Sequence, residues 1–192
     1  MSRPEIIVIG ASTGGVVALT QLIQDLPSQL PAAIFIVVHT PANLPCGLPQ
    51  ILQNCGKLPA VHAVDGAAIE QGCIYIAPPN RHLLVKRDYM HVVIEPKENG
   101  FRPAIDPLFR TAAVAYDKRV VGIVLSGGLF DGAAGLMEIK QRGGVAIVQD
   151  PNEALVSTMP QTAINRVAVD YILPIANMAS VLLDLVYEAK PH

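Results

Sequence analysis

The sequence predicts an α/β protein: a doubly wound, mostly parallel sheet with helices on both faces and a β-hairpin-rich insertion. Three observations carry that prediction. Strand-length runs such as Ile6-Ile7-Val8-Ile9, Ile34-Phe35-Ile36-Val37-Val38 and Val120-Val121-Gly122-Ile123-Val124-Leu125 are apolar throughout, as strands covered on both faces must be. Segments of helical period lie between such runs, and the resulting βαβ units are right-handed. Of 192 residues, 51% are hydrophobic but only 5% aromatic, which leaves Val, Ile, Leu and Ala to fill the interior.

The elements follow in order. Residues 5–9 read as the first strand. Residues 14–26 read as a helix with apolar Val17, Leu19, Leu22, Ile23 and Leu26, stopped by Pro27. Residues 33–38 form the second strand, and a proline-containing loop leads to a short helix over 48–54. From residue 60 to 102 the pattern changes. Val61-His62-Ala63-Val64, Cys73-Ile74-Tyr75-Ile76, His82-Leu83-Leu84-Val85 and His91-Val92-Val93-Ile94 are short strands separated by Asp65-Gly66, Gln71-Gly72, Pro78-Pro79-Asn80 and Arg87-Asp88. These turn signals predict hairpins, partly at the sheet edge. Glu98-Asn99-Gly100-Phe101-Arg102-Pro103 reads as a polar loop, after which Asp106 can cap a helix over 107–116. The last third returns to βαβ, with strands at 120–125, 145–148 and 171–173 and helices at 132–142, 159–165 and 175–189.

Length and charge bound the rest. The chain is expected to form one domain spanning 1–192. A formal charge of −2 argues against a nucleic-acid partner, which calls for clustered Lys and Arg. No apolar run is long enough for membrane insertion, and with Met1-Ser2-Arg3-Pro4 ahead of the first strand no signal peptide is expected. Cys46, Cys55 and Cys73 are odd in number without metal-type pairing, so reduced thiols and no metal are expected. Together these predict a cytoplasmic protein.

The chemistry is concentrated where strands end. Gly10-Ala11-Ser12-Thr13-Gly14 satisfies the G-x-S-x-G pattern of a strand–turn–helix elbow that exposes a serine hydroxyl. The second strand ends in His39, and the strand at 120–125 runs into Ser126-Gly127-Gly128-Leu129-Phe130-Asp131-Gly132. Loops at the carboxyl edge of a doubly wound sheet share one face, and ligands bind where strand order reverses. If the first strand is central, Ser12, His39 and Asp131 converge there. A serine hydroxyl needs a base to act as a nucleophile at neutral pH, a histidine can take and return the proton, and an aspartate fixes the imidazole tautomer. The order Ser…His…Asp matches none of the three commonest hydrolase orders, but such sets are recognised by geometry. Thr13, at a helix start, and Gly127 and Gly128 offer backbone N–H groups to an oxyanion.

Several motifs together resemble a known family. They are Ile9-Gly10-Ala11-Ser12-Thr13-Gly14-Gly15, Val38-His39, Ile74-Tyr75-Ile76-Ala77-Pro78-Pro79, Arg102-Pro103-Ala104-Ile105-Asp106-Pro107-Leu108-Phe109, Leu125-Ser126-Gly127, Asp131-Gly132-Ala133-Ala134-Gly135 and Met159-Pro160. In family order and end to end, the chain resembles the catalytic domain of bacterial chemotaxis protein-glutamate methylesterases. The resemblance implies hydrolysis of glutamyl γ-methyl esters on methyl-accepting chemoreceptors, and often deamidation of receptor glutamines. It places Ser12 at the nucleophile, His39 at the base and Asp131 at the orienting acid, with no cofactor; a cognate methyltransferase is a further partner it brings into view. Gly128 falls where the family usually has a methionine whose backbone N–H helps hold the oxyanion. Gly128-Leu129-Phe130 therefore departs from the usual L-T-G-M-G-x-D pattern, and Thr40-Pro41 from the usual methionine-proline start. The receiver domain of better-studied members is not expected before a strand that starts at residue 5. Arg102 is read as a loop anchor that could also hold carboxylates flanking the target glutamate.

Two other functions compete. Gly10-x-x-x-Gly14-Gly15 also resembles a dinucleotide-binding dehydrogenase turn, but His39 stands where a ribose reader belongs and no tyrosine has lysine four residues on. A methylesterase-like module that docks without turnover is the other alternative, motivated by the altered Gly128-Leu129-Phe130 segment.

Overall fold

The computed structural model describes residues 5–39 and 47–187. Seven parallel strands form the main sheet: β1 (Ile6–Ala11), β2 (Ala33–Val38), β3 (Ala60–His62), β4 (Ile74–Ile76), β7 (Val120–Val124), β8 (Val145–Gln149) and β9 (Tyr171–Leu173), in the order β3-β4-β2-β1-β7-β8-β9. Every pairing within it is parallel. A separate antiparallel hairpin joins β5 (His82–Val85) to β6 (Met90–Val93).

The apolar runs of β1, β2 and β7 are buried at every position because each face of the sheet has its own core. Ile7, Ile9 and Ala11 point to one side, where α1 (Gly15–Gln24), α2 (Leu48–Cys55) and α6 (Ile175–Tyr187) supply Leu19, Leu22, Leu52, Met178 and Leu182. Ile6 and Val8 point to the other, against Leu108 and Phe109 of α3 (Ile105–Tyr116), Leu136 and Ile139 of α4 (Ala133–Gln141) and Met159 and Ala163 of α5 (Thr158–Arg166). Burying one such side chain stabilises the fold by roughly 1.5–3 kcal/mol. Among the described residues no helix is long and apolar enough to cross a membrane, and no group of three His, Cys, Asp or Glu could hold a metal ion.

The insertion differs from expectation. Of the four strands predicted there, β5 and β6 form a hairpin, whereas β3 and β4 extend the main sheet in parallel, with Ala60 opposite Ile74 and His62 opposite Ile76. The 63–73 segment is long enough for the crossover of about a dozen residues that a parallel pair requires. Turn dipeptides within that segment mark bends in the crossover rather than a reversal between paired strands. The helix predicted over 107–116 starts earlier, at Ile105, so Asp106 lies in its first turn and Ala104 at its cap, without a side-chain capping bond.

β1 lies between β2 and β7, and the chain's strand order reverses there. Past their carboxyl ends the backbones stay laced: His39 N–H donates to Ala11 C=O at 3.1 Å, and Ser12 N–H to Ser126 C=O at 2.9 Å. The three loops predicted to share a rim are thereby fixed side by side.

Candidate active site

Ser12 follows β1 directly and is half-buried, within a turn that closes through Gly15 N–H on Ser12 C=O at 2.8 Å. Its hydroxyl makes no hydrogen bond among the described residues. The turn itself is tied from below. Buried Ser126 donates its hydroxyl to Thr13 C=O at 2.7 Å and accepts from Val156 N–H at 3.0 Å. Gly127 sits so close beneath Ser12 that a Cβ there would lie 2.7 Å from Ser12 Cβ and 2.8 Å from Met159 Cε, so only glycine fits.

His39 is nearly enclosed, its side chain 3% exposed, and Asp131 is wholly buried at 0%. The ring's Nε2 lies 2.7 Å from Asp131 Oδ2. An ionised carboxylate only accepts, so Nε2 carries the proton and donates it to that bond. Nδ1 is then the basic nitrogen; it is buried and has no hydrogen-bond partner among the described residues. The rings of His39 and Phe101 stack at 3.5 Å between centroids with their planes 2° apart, closing one face of the imidazole.

Asp131 is saturated. Oδ2 accepts from His39 and from Ile105 N–H at 2.7 Å; Oδ1 accepts from Asp106 N–H at 3.1 Å and Asn99 Nδ2 at 2.8 Å. The two backbone donors belong to the start of α3, whose dipole favours an anion. Asp106 returns the arrangement: its Oδ1 accepts from Gly132 and Gly135 N–H, at 3.0 and 2.7 Å, at the start of α4. Each aspartate thus caps the other's helix. Burial pushes the Asp131 carboxyl up, but the hydrogen bonds from His39, Ile105 N–H and Asn99 together outweigh it and hold the group below the ordinary carboxylate range. Asp106 shifts the other way: burial, with repulsion from Asp131 and Glu98, raises it despite its bonds from Gly135 N–H and Asn99.

The structure brings Ser12, His39 and Asp131 to the adjoining ends of β1, β2 and β7. Thr13 and Gly128 N–H groups have no backbone acceptor among the described residues, whereas Gly127 N–H donates to Val156 C=O at 3.0 Å and is therefore no oxyanion donor, contrary to expectation. Arg102 is engaged within its own neighbourhood: Nε and Nη2 donate to Asn80 Oδ1 at 2.9 and 2.7 Å and Nη1 to Glu95 C=O at 2.8 Å. A guanidinium so engaged anchors the loop. The loop that begins at Thr40 lies outside the described residues up to Cys46; Cys55 and Cys73 are free thiols.

Two residues were missed by sequence reasoning, Asn99 and Phe101. Both are delivered by one tight hairpin in which Glu98 and Phe101 exchange backbone hydrogen bonds at 3.0 and 2.9 Å across Asn99 and Gly100, with φ of 54° and 87°. Asn-Gly is the preferred pair for such a turn, because both central residues need positive φ. That dipeptide was the available signal.

Known proteins resemble this chain in sequence and in fold. A family model described as CheB methylesterase matches residues 7–182. A Leptospira interrogans protein, provisionally named protein-glutamate methylesterase/protein-glutamine glutaminase, is 38% identical over 182 residues, 94% of this chain and 94% of its own. The protein-glutamate methylesterase/protein-glutamine glutaminase 2 of Methanosarcina mazei is 36% identical over 189 residues, 94% of this chain but 52% of its own length. The crystal structure of the Thermotoga maritima CheB methylesterase catalytic domain matches with a TM-score of 0.92 at 33% identity, covering 96% of this chain and 100% of that one.

Proposed function

The chain belongs to the CheB methylesterase family, and on that footing we propose that it is a serine hydrolase that removes γ-methyl esters from glutamyl side chains of chemoreceptor-type signalling proteins. The observation that carries the reading is a buried imidazole with one nitrogen held on Asp131 and the other without a partner, beside the turn that presents Ser12.

In the proposed cycle Ser12 Oγ attacks the ester carbonyl while His39 Nδ1 takes the hydroxyl proton. The negative charge that develops on the carbonyl oxygen is received by the Thr13 and Gly128 N–H groups; one such donor is typically worth about 10²–10³ in turnover. Asp131 keeps the imidazolium oriented and compensates its charge. Collapse of the tetrahedral intermediate expels methoxide, which His39 protonates to methanol, leaving a glutamyl ester on Ser12. Water, deprotonated by His39, then hydrolyses that acyl-enzyme and restores the serine. The same steps with ammonia as leaving group deamidate a glutamine, the second activity in the relatives' names. No step uses a metal or an organic cofactor. The catalytic roles of Ser12, His39 and Asp131, and the oxyanion roles of Thr13 and Gly128, are part of this proposal.

Methanol release from a methylated chemoreceptor fragment tests it. Wild type is expected to release methanol, and Ser12→Ala and His39→Ala to abolish release above background. An inactive wild type favours a docking module without turnover; activity undiminished in Ser12→Ala refutes the nucleophile.

A further inference from the structure

We propose that Asn99 is a positioning residue of the proton relay, its side-chain amide clamping the Asp131 carboxylate in the orientation that serves His39. For its catalytic consequence the inference rests on the hydrolase reading above.

The amide nitrogen has two hydrogens and faces two buried acceptors. It lies 2.8 Å from Asp131 Oδ1 and 2.7 Å from Asp106 Oδ2. Asp131 turns its other oxygen to His39, so the Asn99 bond, a side-chain donor on Oδ1, works with the Ile105 and Asp106 N–H groups to fix the rotation of the carboxylate about its own axis and hence the direction of the oxygen that meets Nε2. The same nitrogen stands between two carboxylates that are 0% and 3% exposed, where mutual repulsion is only weakly screened. An amide is suited to this place because it is neutral, donates twice and does not titrate.

The charged groups around the clamp are His39 on Asp131, and Glu98 and Arg110 near Asp106, the latter two paired with each other at 2.9 and 3.0 Å. None of them donates to both aspartates. Loss of the amide therefore leaves the pair to share a proton at higher pH. The direction of the Asp131 carboxyl, held low in part by the Asn99 bond, agrees.

A turn-forming role alone would also favour Asn at this φ of 54°, so the test must separate the turn from the amide. Asn99→Gly keeps the turn and deletes the donors. Asn99→Asp keeps the turn and the side-chain shape but replaces donors by a third carboxyl group. Both are made in the full chain, with folding checked by circular dichroism. The first readout is the proton-NMR resonance of His39 Nε2–H, assigned through its absence in His39→Gln. The second is the pH profile of kcat/KM, and kcat and KM separately, for methyl-ester hydrolysis.

In Asn99→Gly the Nε2 proton is expected to broaden by exchange with water. The acid limb should move up by about one pH unit and kcat fall about tenfold, the scale of one hydrogen bond to a charged group, with KM little changed. Asn99→Asp should lose more, although a turn role predicts near wild-type behaviour for both. An Nε2 resonance and an acid limb unchanged in Asn99→Gly overturn the proposal. If no variant and no wild type releases methanol while the Nε2 resonance still depends on Asn99, the positioning role stands and the methylesterase reading fails.

Discussion

The two halves of the site are built on opposite principles. The half proposed to carry the nucleophile is open: Ser12 is half-buried, its hydroxyl unbonded among the described residues, and the Thr13 and Gly128 N–H groups have no backbone acceptor there. The acid–base half is closed: Asp131 accepts four hydrogen bonds in full burial, and His39 lies between that carboxylate and the Phe101 ring. Groups that must receive a substrate are left unsatisfied. In the proposed cycle the carboxylate that must hold one geometry through a charge change is saturated before any substrate arrives. Such preorganisation means that little reorientation is needed when the imidazolium forms.

Breaking the closed half at its centre should have the largest effect. Asp131→Asn removes the acceptor that selects the His39 tautomer, and turnover in the methanol assay is expected to fall by about 10⁴-fold. The same residue gives a pH signature. Its folded pKa lies below the unfolded value, so its stabilisation is fully present above the ordinary carboxylate range and lost as acid protonates the folded group. Urea midpoints followed from about pH 5 to pH 2 should therefore fall more steeply in wild type than in Asp131→Asn.

The open half is vulnerable from below. Gly127→Ala would set a methyl 2.7 Å from Ser12 Cβ, and the turn must shift. A displacement near 1 Å typically costs about 10²-fold, so kcat should drop by that order while the Nε2 proton of His39 is unaffected. Phe101→Ala removes the stacked face of the imidazole. Aromatic contacts of this kind contribute about 0.5–1.5 kcal/mol, so kcat should fall by up to about tenfold with KM unchanged in single-substrate kinetics. Leu129→Gly should do least. Leu129 is 55% exposed with φ of 67°, a conformation that costs a leucine about 1–2 kcal/mol; glycine relieves it at an entropic cost of about 0.5–1 kcal/mol. Thermal unfolding should show a gain of up to about 1.5 kcal/mol, with activity within about twofold.

What could be read from the residues follows the same division. β1, β2 and β7 were legible because strands buried on both faces have no polar alternation to blur them; Ser12 and His39 directly follow two such runs and Asp131 lies in the loop after the third, which is why their meeting at one rim could be expected. Arrangements made by the tertiary fold were not. The parallel pairing of β3 with β4 has the same side-chain pattern as a hairpin would. Asp106 looks like a cap for its own helix, and only the packing of α3 on α4 hands it to Gly132 and Gly135. Gly127 and Gly128 are identical in sequence, yet one N–H is committed to Val156. Arg102 and Asn99 share one polar loop, and nothing local distinguishes the side chain that anchors it from the one that reaches the buried aspartates.

The exchange of caps between α3 and α4 has a consequence for motion. The amide protons of Ile105 and Asp106 end on Asp131, and those of Gly132 and Gly135 on Asp106. Neither helix start can fray without stripping acceptors from the other, so the four should open as one cooperative unit. Deuterium uptake at these amides would then be synchronous, and its rate would measure how often the Asp131 carboxylate is momentarily out of place.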